Sequence, residues 1–223
     1  PAASAVTNDN TTLLTWNALG GGTPYTYTYE VQLSTTSAFT IVEQSSSTGA
    51  VTNYTTTALS EGIHYWRVRG LNVNSVAGPW TAARSFTVDT VAPLAPNLTA
   101  PADAAAVTTS PAFTWAAAAT ASKYQFEYDT VSSFDSTSGH ALYISADLTT
   151  TSHTPPSMLT PPLPKTYYWH VRAKDAAGNW SPWSLTRSLQ INPATPLAPV
   201  LTAPAASAVL GDNTPDFTWG TVA

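Results

Sequence analysis

A repeat of about 100 residues constrains this chain more than any other feature of its sequence. The segment Pro1-Ala2-Ala3-Ser4-Ala5-Val6 returns as Pro101-Ala102-Asp103-Ala104-Ala105-Ala106-Val107 and again as Pro204-Ala205-Ala206-Ser207-Ala208-Val209. Each copy leads into a short apolar strand ending at Trp16, Trp115 or Trp219, at offsets of 99 and 104 residues. Further on, Tyr65-Trp66-Arg67-Val68-Arg69 matches Tyr168-Trp169-His170-Val171-Arg172, and Trp80, Arg84 and Pro101 recur at Trp183, Arg187 and Pro204, all shifted by 103. The 223 residues thus divide into a first unit over 1–91, a second over 92–194 and a third over 195–223 that holds only the first two strands. A third unit so short cannot bury its own core. The expectation is a window on a longer array, or orphan strands that complete a neighbouring subunit.

Composition narrows the function classes. Charged residues are 9% of the chain, far below the quarter or so usual in soluble domains, while Thr and Ser number 37 and 22, so hydroxyls solvate the surface. The formal charge of -5 argues against a nucleic-acid or anionic-membrane partner. The absence of Cys removes disulfides, thiolate zinc sites and Cys nucleophiles. No apolar run approaches the length of a membrane-spanning helix, and the opening at Pro1 without an initiator Met suits a segment of a longer protein.

Within each unit, short segments rich in Thr, Val, Tyr, Phe and Trp alternate with Gly, Pro, Asn and Ser clusters, which predicts an all-β fold of about seven strands per unit. Tyr29, Val31 and Leu33 alternate with Glu30 and Gln32, and Tyr124, Phe126 and Tyr128 with Gln125, Glu127 and Asp129, so one face of each strand is core. The same parity buries Trp66 and Val68, or Tyr167, Trp169, Val171 and Ala173, and turns Arg67, Arg69, His170 and Arg172 outward. Tandem two-sheet sandwiches with Greek-key connections follow.

These residues resemble fibronectin type III modules, in the bacterial style also described as immunoglobulin-like repeats. The resemblance covers both full units and the partial third. It is carried by Trp16, Trp115 and Trp219 on strand B, by Tyr29/Val31 and Tyr124/Phe126 on strand C, and by the two Tyr-Trp-x-Val-Arg runs on strand F. The family's corner tyrosine has its place taken by His64 in the first unit and Tyr167 in the second, which leaves the corner hydrogen bond in question in the first. The connectors Ala92-Pro93-Leu94-Ala95-Pro96 and Thr195-Pro196-Leu197-Ala198-Pro199 predict short, stiff joints.

No converging acids, bases or nucleophiles appear, and His64, His140, His153 and His170 are scattered, so no enzyme is expected. The string Asn179-Trp180-Ser181-Pro182-Trp183-Ser184 is similar to the Trp-Ser-x-Trp-Ser signature of cytokine-receptor modules, in which Trp rings stack with Arg. That resemblance implies a structural ladder of Trp180, Trp183, Arg172 and Arg187, with a shorter one of Trp80, Arg69 and Arg84 in the first unit. On a straight strand Trp183, Leu185, Arg187, Leu189 and Ile191 share one face, so a bulge or polyproline-like stretch is expected near 181–187.

Calcium at a module junction would rest on Asp89 and Asp103; otherwise no cofactor is expected. Asn10, Asn53, Asn97 and Asn179 head N-glycosylation tripeptides. Loops 135–140 and 154–162, longer in the second unit, are first candidates for partner contacts. The functional expectation is a non-catalytic structural segment of an extracellular or cell-surface prokaryotic repeat protein: a stalk, adhesin shaft or filament component. Its partners would be neighbouring copies, to the point of a homopolymer by strand exchange, with glycans a further class. The rivals are spacer modules of a large secreted carbohydrate-active hydrolase, and a module binding sugar through Tyr25, Tyr27, Trp180 or Trp183.

Overall fold

The computed structural model describes residues 1–20, 26–156, 158, 163–192, 198–211 and 213–220. In the first unit, β1 (Ala5–Thr7), β7 (Arg84–Val88), β6 (Gly62–Leu71), β3 (Thr28–Ser34) and β4 (Val42–Gly49) form one sheet in that order, and β2 (Leu13–Thr15) pairs with β5 (Asn53–Thr55) in the facing layer. The second unit repeats this plan. One sheet runs β12 (Tyr143–Ile144), β11 (Lys123–Asp129), β14 (Lys165–Lys174), β15 (Arg187–Ile191), β9 (Ala105–Val107). The other runs β13 (Ser152–His153), β10 (Phe113–Trp115), β8 (Leu98–Ala100). A final ribbon pairs β16 (Leu201–Ala203) with β17 (Thr218–Trp219). The all-β sandwich expected from the strand periodicity is what forms.

Strands β3 and β11 share one burial pattern, with Tyr29, Val31 and Leu33 or Tyr124, Phe126 and Tyr128 facing inward. Their partners β6 and β14 bury Trp66 and Val68, or Tyr167, Trp169, Val171 and Ala173, as the alternation requires. The sandwiches hold two core clusters with no residue in common. The second is the more aromatic: Phe113 meets Trp169 edge-on at 4.8 Å and Phe126 at 4.7 Å, where the first unit has Leu14 and Val31. Among the described residues of the third unit no such cluster forms, and Leu201, Phe217 and Trp219 stay largely exposed.

The corner position differs between the sandwiches. The Tyr167 hydroxyl donates to the Met158 carbonyl at 2.5 Å, tying strand β14 to the loop before it. His64, 1% exposed, keeps the tie by other means, with Nε2 2.9 Å from the Ser60 carbonyl and Nδ1 2.8 Å from Glu43. Each ring nitrogen of His64 thus has an oxygen partner. The shorter imidazole reaches the corner carbonyl because Ser60 lies only four residues upstream, against nine for Met158.

Because the cores are separate, Phe113→Ala is expected to cost the second sandwich about 3–5 kcal/mol and leave the first unchanged. Denaturant unfolding followed by NMR signals assigned to each unit checks this, and an equal loss in both would contradict two independent cores.

Candidate functional site

The outward faces of β6 and β14 carry Arg67 and Arg69, and His170, Arg172 and Lys174. In the second unit these interleave with aromatic rings into one stack. Phe134 lies on His170 (3.7 Å, 5° between planes), and His170 lies on Trp183 (4.0 Å, 6°). The Arg172 guanidinium sits 4.5 Å from the Trp183 ring and 4.4 Å from Trp180, and Lys174 closes the stack 4.9 Å from Trp180. The first unit builds a shorter version: Arg67 between Phe39 (4.0 Å) and Trp80 (4.6 Å), and Arg69 on the far side of Trp80 at 4.5 Å. It stops there because Ala77 and Leu71 stand where the second unit has Trp180 and Lys174.

Cross-strand partners hold the cations flat against the rings. Arg67 donates twice to Gln32 and Arg172 twice to Gln125, while Arg69 pairs with Glu30 at 2.6 Å and His170 with Glu127 at 3.1 Å. The charged member of each cross-strand set therefore changes position between units: Glu opposite Arg69 in one, Glu opposite His170 in the other.

The rings are presented by residues 180–186, of which 181–186 belong to no strand. Ser181 N donates to the Ala173 carbonyl and Ser184 N to Val171, both at 2.8 Å. The buried Ser181 and Ser184 hydroxyls accept in return from Ala173 N at 2.8 Å and Val171 N at 3.1 Å. Contacts thus recur every third residue, the period of a polyproline II chain, against every second on β14. That mismatch resolves the parity problem at 181–187: Trp180 and Trp183 face outward together, and the strand period resumes only at Arg187. Thr81 makes the same pair of bonds to Val68 in the first unit, at 2.9 and 3.2 Å.

Two residues expected in the ladders lie outside them. Arg187 turns to the sandwich edge and donates to the carbonyls of Leu98 and Pro101, both at 2.7 Å. The Arg84 side chain, at the equivalent position, is exposed and makes no hydrogen bond, ion pair or ring contact among the described residues. Conversely, Phe39, Phe134, Arg67, His170 and Lys174 belong to the stacks and were missed. The signal was present: Phe39 and Phe134 recur at one place in the turn after strand C, both with positive φ (55° and 56°).

For sugar stacking, Trp180 and Trp183 offer little free ring face, since Arg172 and Lys174 flank one and His170 and Arg172 the other. Tyr27 packs on the first core, and Tyr25 lies outside the described residues, as do 157 and 159–162 of the second long loop. Asp103 spends Oδ1 on Ala104 N, Ser188 N and the Ser188 hydroxyl, the bonds that lower its pKa, and Asp89 accepts from Val91 N. Among the described residues no group of three or more His, Asp or Glu side chains could hold a metal ion. Asn10, Asn53 and Asn97 are exposed, whereas the Asn179 amide nitrogen is occupied by the Asp89 carbonyl (2.7 Å) and Asp175 Oδ2 (3.0 Å). His140 is exposed in a turn, and His153 stacks on Tyr143 with a 3.0 Å contact to its hydroxyl. No two histidines share a site.

Compared with solved structures, the chain is similar to the chicken CNTN1 FN1–FN3 domains, at 14% identity over 86% of this chain and TM-score 0.52. It is also similar to the Clostridium thermocellum CbhA fibronectin(III)-like modules, at 13% identity over 86% of this chain and 92% of that one, TM-score 0.50. The fold is that of fibronectin type III modules. The fibronectin type III-like chain spans 65% of the length of the CNTN1 structure. No family model and no curated protein matches its sequence. Modules of this fold are generally non-catalytic, and no described helix is long and apolar enough to cross a membrane.

Arg172→Ala removes two ring contacts and is expected to destabilise the second module by about 1–3 kcal/mol, with Arg172→Lys recovering part. Chemical denaturation measures both, and no loss in either variant would mean that the Arg172 stack contributes nothing to stability. A second expectation concerns pH. Burial lowers the His153 pKa below its ordinary 6.5. Its neutral form is then favoured in the folded state, so its contribution is complete above about 6.5 and lost as pH falls through the folded value. The midpoint of the second module should drop between neutral and mildly acidic pH, and His153→Gln should flatten that drop.

Proposed function

We propose that this chain is a structural segment of an extracellular or cell-surface repeat protein, a stalk, shaft or filament component whose partners are neighbouring copies of the same repeat. The observation that carries this reading is a latch across the first joint. Asp175 Oδ1 accepts from Gly178 N and Asn179 N at 2.8 and 2.9 Å, and its Oδ2 takes one Asn179 amide hydrogen. Burial alone would raise the Asp175 pKa, yet these bonds hold it below the ordinary carboxylate value. Gly178, at φ 103°, lets the loop close around the carboxylate. The loop so fixed hands the second Asn179 hydrogen to the Asp89 carbonyl, 90 residues away and on the other side of the joint.

The joint is braced from below. Asp89 N donates to Thr7, and Glu61 receives Thr90 N and the Thr90 hydroxyl. Pro93 and Pro96 are buried, so the connector is both conformationally restricted and packed. A joint built this way transmits orientation from one module to the next, which suits a spacer or shaft and adds nothing to a freely hinged tether.

Residual dipolar couplings test the mechanical half of the proposal. Both modules should fit a single alignment tensor, and Asn179→Ala should separate them into two; independent tensors in the unaltered chain would overturn it. Antibody labelling of intact source cells tests the location, with signal confined to permeabilised cells counting against it.

A further inference from the structure

The same edge of the two sandwiches is closed by different chemistry. In the first, the Tyr54 hydroxyl on β5 donates to Gln44 Oε1 on β4 at 3.1 Å, joining the edge strands of the two sheets. Gln44 lies opposite Leu33 and Tyr54 opposite Leu14. At the matching places of the second module, Tyr143 on β12 lies opposite Tyr128 and His153 on β13 opposite Phe113. The Tyr143 hydroxyl and His153 Nε2 are 3.0 Å apart, and the two rings stack with 11° between planes. The bond across the edge is thus kept while the phenol's partner changes from an amide oxygen to an imidazole. An amide oxygen can hold a phenol proton but not carry it away, whereas an imidazole nitrogen can do both.

The protonation states suit such a transfer. Burial lowers the His153 pKa and raises that of Tyr143, so a neutral imidazole is held against an intact phenol. Other tyrosine hydroxyls meet no base: Tyr167 donates to the Met158 carbonyl, and Tyr29 and Tyr124 accept from Leu19 N and Ala118 N. Tyr143 is also in contact with the core. Its ring stacks on Tyr128 at 5.2 Å with 18° between planes, and Tyr128 meets Tyr167 edge-on at 5.6 Å. Three touching phenols run from the interior, where Tyr167 is fully buried, to the half-buried imidazole.

We propose that Tyr143 and His153 form a redox-active pair, the place at which a one-electron oxidant such as an organic peroxyl radical takes an electron from this module. Loss of an electron makes a phenol strongly acidic, so the step needs a base at the oxygen, and 3.0 Å is within the reach of one. The peroxyl radical gains the electron, becomes a peroxide anion and takes a proton from water. The Tyr143 O–H bond breaks and its proton forms an N–H bond at His153 Nε2, leaving a neutral tyrosyl radical beside an imidazolium. An electron lost first from Tyr128 or Tyr167 is replaced from Tyr143 through the ring contacts. The proton can leave at Tyr143, whereas burial disfavours the Tyr128 phenolate and a carbonyl holds the Tyr167 hydroxyl. Oxidation therefore ends at the sandwich edge rather than on Trp169 in the core.

Limited oxidation of the full chain by photogenerated tris(bipyridine)ruthenium(III), with a nitroso spin trap and peptide mass spectrometry, reads this residue by residue. Tyr143 should carry the largest share of trapped radical, several-fold above its half-buried counterpart across the same edge, Tyr54. His153→Gln installs the amide used by the first module, so the fold should persist while the Tyr143 share falls to that of Tyr54. Tyr143→Phe keeps the stack and removes the proton, and should move trapped radical onto Tyr128 and the core tryptophans. Should the Gln variant unfold, the Tyr143→Phe map decides alone. Labelling that follows exposure across the tyrosines overturns the proposal, as does a Tyr143 share indifferent to His153→Gln or a core whose labelling ignores Tyr143→Phe.

Discussion

Everything in these modules follows from the two-residue period of the F strand, β6 or β14. That strand lies in the middle of its sheet, between β3 and β7 or between β11 and β15, so both of its faces must be satisfied by side chains. Inward, Trp66 or Trp169 fills the space between the layers, and large apolar rings supply most of the burial in a sandwich of this size. Outward, the same alternation places Arg67 and Arg69 on β6, and His170, Arg172 and Lys174 on β14, two residues apart on one face. Cations spaced by two residues stand too far apart to touch and close enough to hold one ring between them, about 7 Å for a strand of this pitch. The ladder is thus a consequence of strand geometry once something supplies rings at the matching interval.

That something is the irregular segment before the G strand. A regular strand facing β14 would offer alternate residues and continue the ladder hydrogen bonds, but its side chains would rise directly opposite the cations. Residues 180–186 advance by threes, and their Ser hydroxyls stand in for the missing regular pairing by accepting from Val171 N and Ala173 N. Few sequences give up backbone pairing on a central strand without leaving donors unsatisfied. The Trp-Ser-Pro-Trp-Ser order meets the demand locally: Trp for the ring, Ser for the orphan donor, and Pro182 where no donor is required.

Much of this was legible in the sequence, for a physical reason. Strand parity, turn residues and the repeat are properties of consecutive residues, so the sandwich, the inward Trp set and the outward Arg set could be read directly. The period change near Arg187 was legible as a contradiction, an Arg due for burial, although its solution in the carbonyls of Leu98 and Pro101 was not. What escaped were contacts between distant segments. Nothing near Phe134 announces that it will lie on His170, 36 residues later, and only comparison with Phe39 and Arg67 exposes the pattern. The same holds for His64, which reads as a lost corner tyrosine until Ser60 and Glu43 are seen beside it.

The scarcity of charge sharpens the meaning of each charged residue. All eight Lys and Arg residues lie within the described chain. Four are rungs of the ladders, Arg67, Arg69, Arg172 and Lys174. Lys123 pairs with Asp147 at 3.0 Å, Lys165 lies 5.9 Å from the Tyr167 ring, and Arg187 clamps the edge strand. Among the described residues only the Arg84 side chain has no partner. In a lysine-rich surface an idle cation would mean little, because exposed charges are ordinarily solvated and interact weakly. Here hydroxyls solvate the surface, and seven cations out of eight hold a ring, a carboxylate or a carbonyl.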